Sequence, residues 1–266
     1  MAENESGPSS RNDEIARSLD APPELLPYIP ELLTDFWELG SDVETIVGFL
    51  ASLDLARETT RVADFGCGKG AVAVTLALRL GYAVWGVDAF EPFIREAKLR
   101  ALDLGVGETC TFEVRDLREA AEEARDYDAA VYASVGGVLG PLDACVGRLR
   151  RTVRPGGYMV LDEGFLRGPA RPEDAAWSYL SEYEETRRRL TAHGDRLIKE
   201  HVLSDTAFRV ENVLYVERIR SRVEQIIMRT PEAAEPLRAY VRAQTQASRD
   251  LERYVVSSTW LLQRAA

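Results

Sequence analysis

The feature that most constrains this chain is the stretch VADFGCGKGAVAV at residues 62–74. A run with strand character stops at Gly66, glycine recurs at Gly68 and Gly70, and apolar residues at helical spacing resume at once. Glycine lets the backbone turn sharply and leaves no Cβ between the main chain and whatever lies beside it. The helix that follows directs unbonded N–H groups back toward the turn. A strand, a glycine turn and a helix in this order open a parallel α/β sheet, and they predict something small, bound edge-on, at the turn. Gly66-x-Gly68-x-x-Ala71 also satisfies a dinucleotide fingerprint, and a tight turn without a ligand would use the same glycines.

Downstream the pattern repeats. RVADF, AVWGVD, CTFEVRD, the segment Tyr127–Ser134 and YMVLDE read as strands, separated by amphipathic helical segments. Near-continuous apolar strands alternating with helices predict a doubly wound parallel sheet covered on both faces. Residues 173–193 read as a charged helix, Arg196–Leu203 as a further strand and Ser258–Gln263 as a last one. Between these lie two helices, one with a stripe at Val216, Ile219, Val223, Ile226 and Ile227, the other with Leu237, Tyr240, Val241 and Gln244. Before the sheet, residues 1–20 are polar and read as a disordered tail. Residues 31–55 read as two helices joined at Gly40, the second capped by Ser41. The predicted division is a tail at 1–20, an N-terminal helical cap at 21–57, a core at 58–205, a helical insertion at 206–256 and a final core strand at 257–266.

Composition removes several function classes. Lysine and arginine number 33 against 44 acids, a net charge of -11, so the basic footprint of a nucleic-acid or anionic-membrane binder is missing. Cys67, Cys110 and Cys145 with two histidines form neither a disulfide framework nor a metal set, and they suit a reducing cytoplasm. No run approaches the length of a bilayer span or forms a secretory leader. The expectation is a cytoplasmic protein with no metal, no nucleic acid and no membrane; whether it forms a homodimer is left open.

Acids at strand ends sharpen the reading of the turn. Asp88 closes the second strand, 18 residues after Gly70, the spacing at which a carboxylate reaches ribose hydroxyls. Asp116 closes the third, beside the same crevice. Each also has a structural reading as a helix cap. Candidates to meet a second substrate are Asp162, Glu163, Glu211, His201, Tyr132 and Trp37. Glu163, at the end of the fifth strand, is the catalytic candidate among them, with a structural role as its alternative.

Asp64-x-Gly66-x-Gly68-x-Gly70, then Val87-Asp88, Val114-Arg-Asp116, Tyr127-Asp128 and Pro155-Gly156-Gly157 form an ordered series over residues 60–163 that resembles the class I S-adenosylmethionine-dependent methyltransferases. The resemblance implies a Rossmann-like sheet of seven strands with the last antiparallel, and S-adenosyl-L-methionine as cofactor. It implies that Gly66, Cys67, Gly68 and Gly70 wrap the amino-acid end, that Asp64 helps hold the ammonium, and that Asp88 with Ala89 meets the ribose. Asp116 and Leu117 would meet the adenine, while Ala133 and Ser134 would flank the methionine part and face a small-molecule acceptor. Cys67 would be a small loop residue and no nucleophile. The N-terminal helices and the helical insertion are similar to the lid of small-molecule methyltransferases.

Methyl transfer to an O, N or C atom needs orientation above all, so no strong catalytic signature is expected. A nicotinamide-dependent oxidoreductase would leave Asp64 and Asp116 without purpose and would lack a Tyr-x-x-x-Lys pair. A protein that binds S-adenosylmethionine without turnover is the other alternative. A Walker site fails because Gly70 follows Lys69. After the fourth strand the chain reads Ala133-Ser134-Val135-Gly136, not the tetrapeptide of nucleic-acid methyltransferases.

Overall fold

Short apolar segments punctuated by glycine and proline become seven strands in a computed structural model that describes residues 11–169, 177 and 179–266. They are β1 (Arg61–Phe65), β2 (Ala83–Asp88), β3 (Cys110–Val114), β4 (Tyr127–Ala133), β5 (Val153–Leu166), β6 (Arg196–Val202) and β7 (Val255–Gln263). Their order in the sheet is β3-β2-β1-β4-β5-β7-β6. The first five pair in parallel, and β7 runs antiparallel to both β5 and β6. This is the doubly wound sheet that the strand pattern predicts, with the Rossmann-like seven strands and antiparallel last strand that the resemblance implies.

The helices, in chain order, are α1 (Arg11–Ser18), α2 (Ile29–Leu32), α3 (Val43–Ala51), α4 (Ala71–Leu80), α5 (Glu91–Asp103), α6 (Leu117–Glu123), α7 (Leu142–Thr152), α8 (Tyr183–Leu190), α9 (Asp205–Arg229) and α10 (Ala234–Tyr254). The chain divides into two compact units, one of the described residues up to Asp35 with Val210–Arg249, the other Phe36–Arg209 with Asp250–Ala266.

In the larger unit the pleat sorts each strand onto two faces. Val62, Val84, Val131 and Val160 join α3, α4 and α5 in one apolar cluster. Ala63, Tyr132 and Leu161, each one residue further on, and Val87, three residues past Val84, join α6, α7 and α8 in the other. The sheet is therefore buried on both sides, as parallel sheets must be. In the helical unit, Leu25, Ile29 and Leu32 are buried, as are Val216, Ile219, Val223 and Leu237. Arg222 holds Asp35 at 2.5 Å, and Arg229 pairs with Glu31.

Four local expectations are corrected. The tail expected at residues 1–20 is helical from Arg11 to Ser18, with Ala16 buried; Asp13 and Glu14 in the first turn and Arg17 in the last complement the helix dipole. Residues 1–10 lie outside the described residues. The first of the two helices expected in 31–55 ends at Leu32, and Trp37 lies in an irregular segment whose indole N–H is held by the carbonyl of Lys69 at 3.0 Å. The second is capped by Asp42 rather than Ser41, because the Asp42 carboxylate accepts the Thr45 N–H at 3.0 Å. The charged helix expected over 173–193 occupies Tyr183–Leu190, and residues 173–176 and 178 of that region fall outside the described ones.

Asp162, 2% exposed, ties this framework together. Its carboxylate accepts the Asp42 N–H at 2.7 Å and the Thr259 hydroxyl at 2.9 Å, so it joins the entry of α3 to β5 and β7. Replacing Asp162 with alanine strands both donors and should cost about 2–4 kcal/mol, whereas Asp103→Ala on the exposed end of α5 should stay within about 0.5 kcal/mol. Urea unfolding of the two variants checks this, and equal midpoints would show that Asp162 carries no such role.

Candidate functional site

The same two-residue alternation decides which acids meet. Asp64 follows Val62 onto the α3–α5 side of the sheet, and Asp88 and Asp162 fall on that side as well, in register with their neighbours (Asp64 opposite Gly86, Ala133 opposite Asp162). Glu163 is one residue out of phase. It faces the α6–α8 side with Tyr132 and Cys145. The structure thus brings Asp64 and Asp88 to one glycine turn and does not bring Glu163 to it.

That turn hangs from the end of β2. Gly66 and Cys67 donate to the Val87 carbonyl at 2.8 and 3.0 Å, and Gly68 donates to Asp88 Oδ2 at 3.0 Å. Asp88 Oδ1 accepts the Phe90 N–H at 2.8 Å, so one carboxylate binds the turn and the start of α5 together. A carboxylate has about four acceptor positions, which leaves room for further donors. Burial nevertheless raises its pKa. Gly66 and Gly68 have φ of +77° and +50°, and a Cβ on either would run into Val135 or Leu39. Side chains of this chain already press on the bare backbone there.

Asp64 is 2% exposed. The Ala73 N–H at the start of α4 steadies it, while Oδ2 meets no donor among the described residues. Desolvation, the largest cause, pushes its pKa up to about 7, and the charge of Asp88 adds to the rise. A buried carboxylate oxygen without a donor is costly and rare in folded chains. It is the strongest local indication that a cationic or N–H-bearing group belongs beside it.

Glu163 sits against a small cavity of about 20 Å³ with Tyr132, Cys145 and Thr186. The Tyr179 hydroxyl donates to it at 2.5 Å, and the Gly136 amide also supports it; burial, the largest cause, raises its pKa to about 7. Tyr132 donates to the Gly136 carbonyl at 2.6 Å and accepts from Leu139 N–H at 3.3 Å. Glu163 and Tyr132 together pin the loop after β4. That loop begins at Ser134, which has φ +53° and donates its N–H to the Asp162 carbonyl at 2.7 Å. A left-handed non-glycine residue carries a cost of about 1–2 kcal/mol and persists only when its surroundings fix it.

The remaining candidates separate. Asp116 caps α6, accepting Arg118 N–H at 2.7 Å and pairing with the Arg118 guanidinium at 2.9 Å, which lowers its pKa. Leu117 is buried in the α6–α8 cluster, and Ala133 is buried at the end of β4. Ala89 donates its N–H to Asp88. Cys67 is buried with its thiol pKa pushed well up by desolvation, which removes it as a nucleophile. His201 is exposed, 3.9 Å from Asp42, and Glu211 is exposed on α9. Among the described residues no acid, histidine or cysteine group could hold a metal, and no helix is long and apolar enough to cross a membrane.

The family model of a methyltransferase domain matches residues 62–157, from β1 to the turn in β5. Those residues are a methyltransferase domain. An uncharacterized protein of Escherichia coli, YjhP, is 33% identical over 44% of this chain and 47% of its own length. Nocamycin O-methyltransferase of Saccharothrix syringae is 36% identical over 41% of this chain and 38% of its own. The match thus spans less than half of the curated relatives. The crystal structure of a SAM-dependent methyltransferase from Geobacter sulfurreducens in complex with S-adenosyl-L-homocysteine superposes with a TM-score of 0.74 at 21% identity, covering 88% of this chain and 96% of that one. The agreement extends the methyltransferase fold across the sheet.

The domain also contains a device that sequence reasoning missed. Lys69 is fully buried, and its ammonium lies 3.0 Å from Glu96. Glu96 in turn holds Arg100 at 2.8 Å, the Arg100 guanidinium stacks over Trp37 at 5.2 Å, and Trp37 donates to the Lys69 carbonyl. The ring locks the segment before α3 onto the glycine turn. The sole sequence signal was a lysine between two glycines. Because Lys69 is buried and Glu96 is 29% exposed, removing the acid takes a counter-charge from a buried ammonium, whereas removing the lysine leaves Glu96 paired with Arg100. Glu96→Ala should cost on the order of 3 kcal/mol and Lys69→Met clearly less, by chemical denaturation; the reverse order would contradict this account of the ring.

Proposed function

We propose that this chain transfers a methyl group from S-adenosylmethionine to a small-molecule acceptor. The observation that carries the proposal is Asp64 Oδ2, a buried acceptor without a donor at a glycine turn that Asp88 braces. The residues fit the cofactor: an ammonium would satisfy Asp64, the bare backbone at Gly66, Cys67, Gly68 and Gly70 would receive the amino-acid end, and Asp88, with Ala89 beside it, keeps an acceptor position for a ribose hydroxyl beyond the amides of Gly68, Ala89 and Phe90. Asp116 and Leu117 would flank the adenine, and Ala133 and Ser134 the methionine part. When bound, S-adenosylmethionine supplies a methyl group already activated for displacement.

What this chain contributes is placement. We assign Glu163 the task of fixing the loop after β4 through Tyr179 and Gly136, so that Ser134 is held beside the acceptor. Hydroxyl acceptors head the panel, since one relative is named an O-methyltransferase. Three buried free thiols suit a reducing cytoplasm.

Asp64 gives the reading a pH signature. With its pKa raised to about 7, the carboxyl is largely neutral at pH 6 and ionised toward pH 8. A cationic ligand binds the ionised form, so binding lowers that pKa and releases a proton. Affinity for S-adenosylmethionine should therefore rise between about pH 6 and 7.5, below the range where the ligand's own α-amino group deprotonates. Calorimetry in buffers of different ionisation enthalpy reads the released proton. Asp64→Asn should bind more weakly with a flat pH profile, although Glu163 still titrates in that variant. A wild-type profile that is flat, or tight binding of NADH in place of S-adenosylmethionine, would overturn the assignment.

For the reaction, incubating the protein with S-adenosylmethionine and a panel of small phenols, alcohols and amines should yield a product heavier by one methylene. Binding without any product across a broad metabolite extract would favour a cofactor-binding protein without turnover.

A further inference from the structure

We propose that the helical unit binds an anion carrying linked phosphate groups in a groove between α9 and α10. The turn at Pro231–Ala233 folds α10 back beside α9, and the two helices enclose a cleft of about 500 Å³. Its floor is apolar, with Val223 and Val241 buried. Its walls carry four arginines, Arg220 from α9 and Arg238, Arg242 and Arg249 from α10, against a single acid, Glu224.

In a chain with a net charge of -11 this concentration of positive charge is a local exception. Intramolecular pairing answers only half of it. Arg242 pairs with Glu235 at 2.8 Å and Arg238 reaches Glu224 at a long 3.5 Å, whereas Arg220 and Arg249 form no ion pair with any described residue. Like charges gathered in one cleft repel one another, and a bound anion would relieve that repulsion.

The residue type and its spacing narrow the ligand. Guanidinium forks match phosphate oxygens two at a time, which an ammonium cannot do. Arg238, Arg242 and Arg249 share one face of α10 and extend over about 16 Å, since an α-helix rises about 1.5 Å per residue. One phosphate would engage one end of such a row. A chain of phosphates would engage several forks, with the valine floor left for a less polar remainder.

The site shares no residue with the proposed methyl-transfer site, so it stands or falls separately. Orthophosphate, pyrophosphate and tripolyphosphate, titrated by calorimetry at constant ionic strength, should bind with affinity rising along that series. Arg220→Gln with Arg249→Gln should weaken tripolyphosphate by roughly tenfold without changing the circular dichroism, and the paired lysine substitutions should fall between. Sedimentation with phosphatidylcholine vesicles, with and without a phosphoinositide, separates the sources: capture only by the phosphorylated lipid places the phosphates on a headgroup, and binding of the soluble anions alone places them on a free metabolite. Equal affinity for all three anions, an unaltered Gln variant, or no binding to any probe would overturn the proposal.

Discussion

The pleat of the parallel sheet is the constraint on which everything else rests. Successive side chains point to opposite faces, and burial on both sides fixes the register, since a slip by one residue would exchange the two cores. Near the ends of β1 and β2, and on β5 four residues before its end at Leu166, the chain places Asp64, Asp88 and Asp162 at even-numbered positions, all toward α3, α4 and α5. The odd-numbered Glu163 faces the other layer. Two acids adjacent in sequence, Asp162 and Glu163, therefore do unrelated work. One joins α3 to β7, and the other braces the loop after β4 through Tyr179.

This explains what could and could not be read from the sequence. The sheet was legible because β1 and β2 are short apolar runs closed by a glycine turn and by Asp88, β3 and β4 are equally short, and the helices between them carry their own period. The glycine turn was legible for the same local reason. Face assignment was open to the same counting, and applying it to Glu163 would have set it apart from Asp64 and Asp88. The cap at Asp42 was not distinguishable from one at Ser41, because both residue types cap helices and the choice was made by a contact with Asp162, 120 residues away. The placing of Trp37 likewise follows from a distant carbonyl. The ring through Lys69, Glu96 and Arg100 is tertiary in origin, and a lone lysine among glycines carries no trace of its partners.

Around the turn, two kinds of force act on the same few atoms. Val135 and Leu39 crowd the bare backbone from the apolar side, and the Asp88 carboxylate draws its amides from the polar side. The crowding and the positive φ require glycine, and the hydrogen bond fixes where the Gly68 amide points. Together they set a turn whose shape is decided before any ligand arrives, which is the condition for binding at low reorganisation cost.

The position of β7 has a bearing on how the sheet is made. Of the seven strands it is the last in sequence, beginning at Val255 when β6 has ended at Val202, yet it lies between β5 and β6 and pairs with both. Until it is inserted, two open strand edges stay available to other chains. Closure of the sheet is thus a long-range event, slow compared with formation of the β1–β4 layer. Assembly of this half should be the stage at which nascent molecules are most exposed to mispairing and to chaperones.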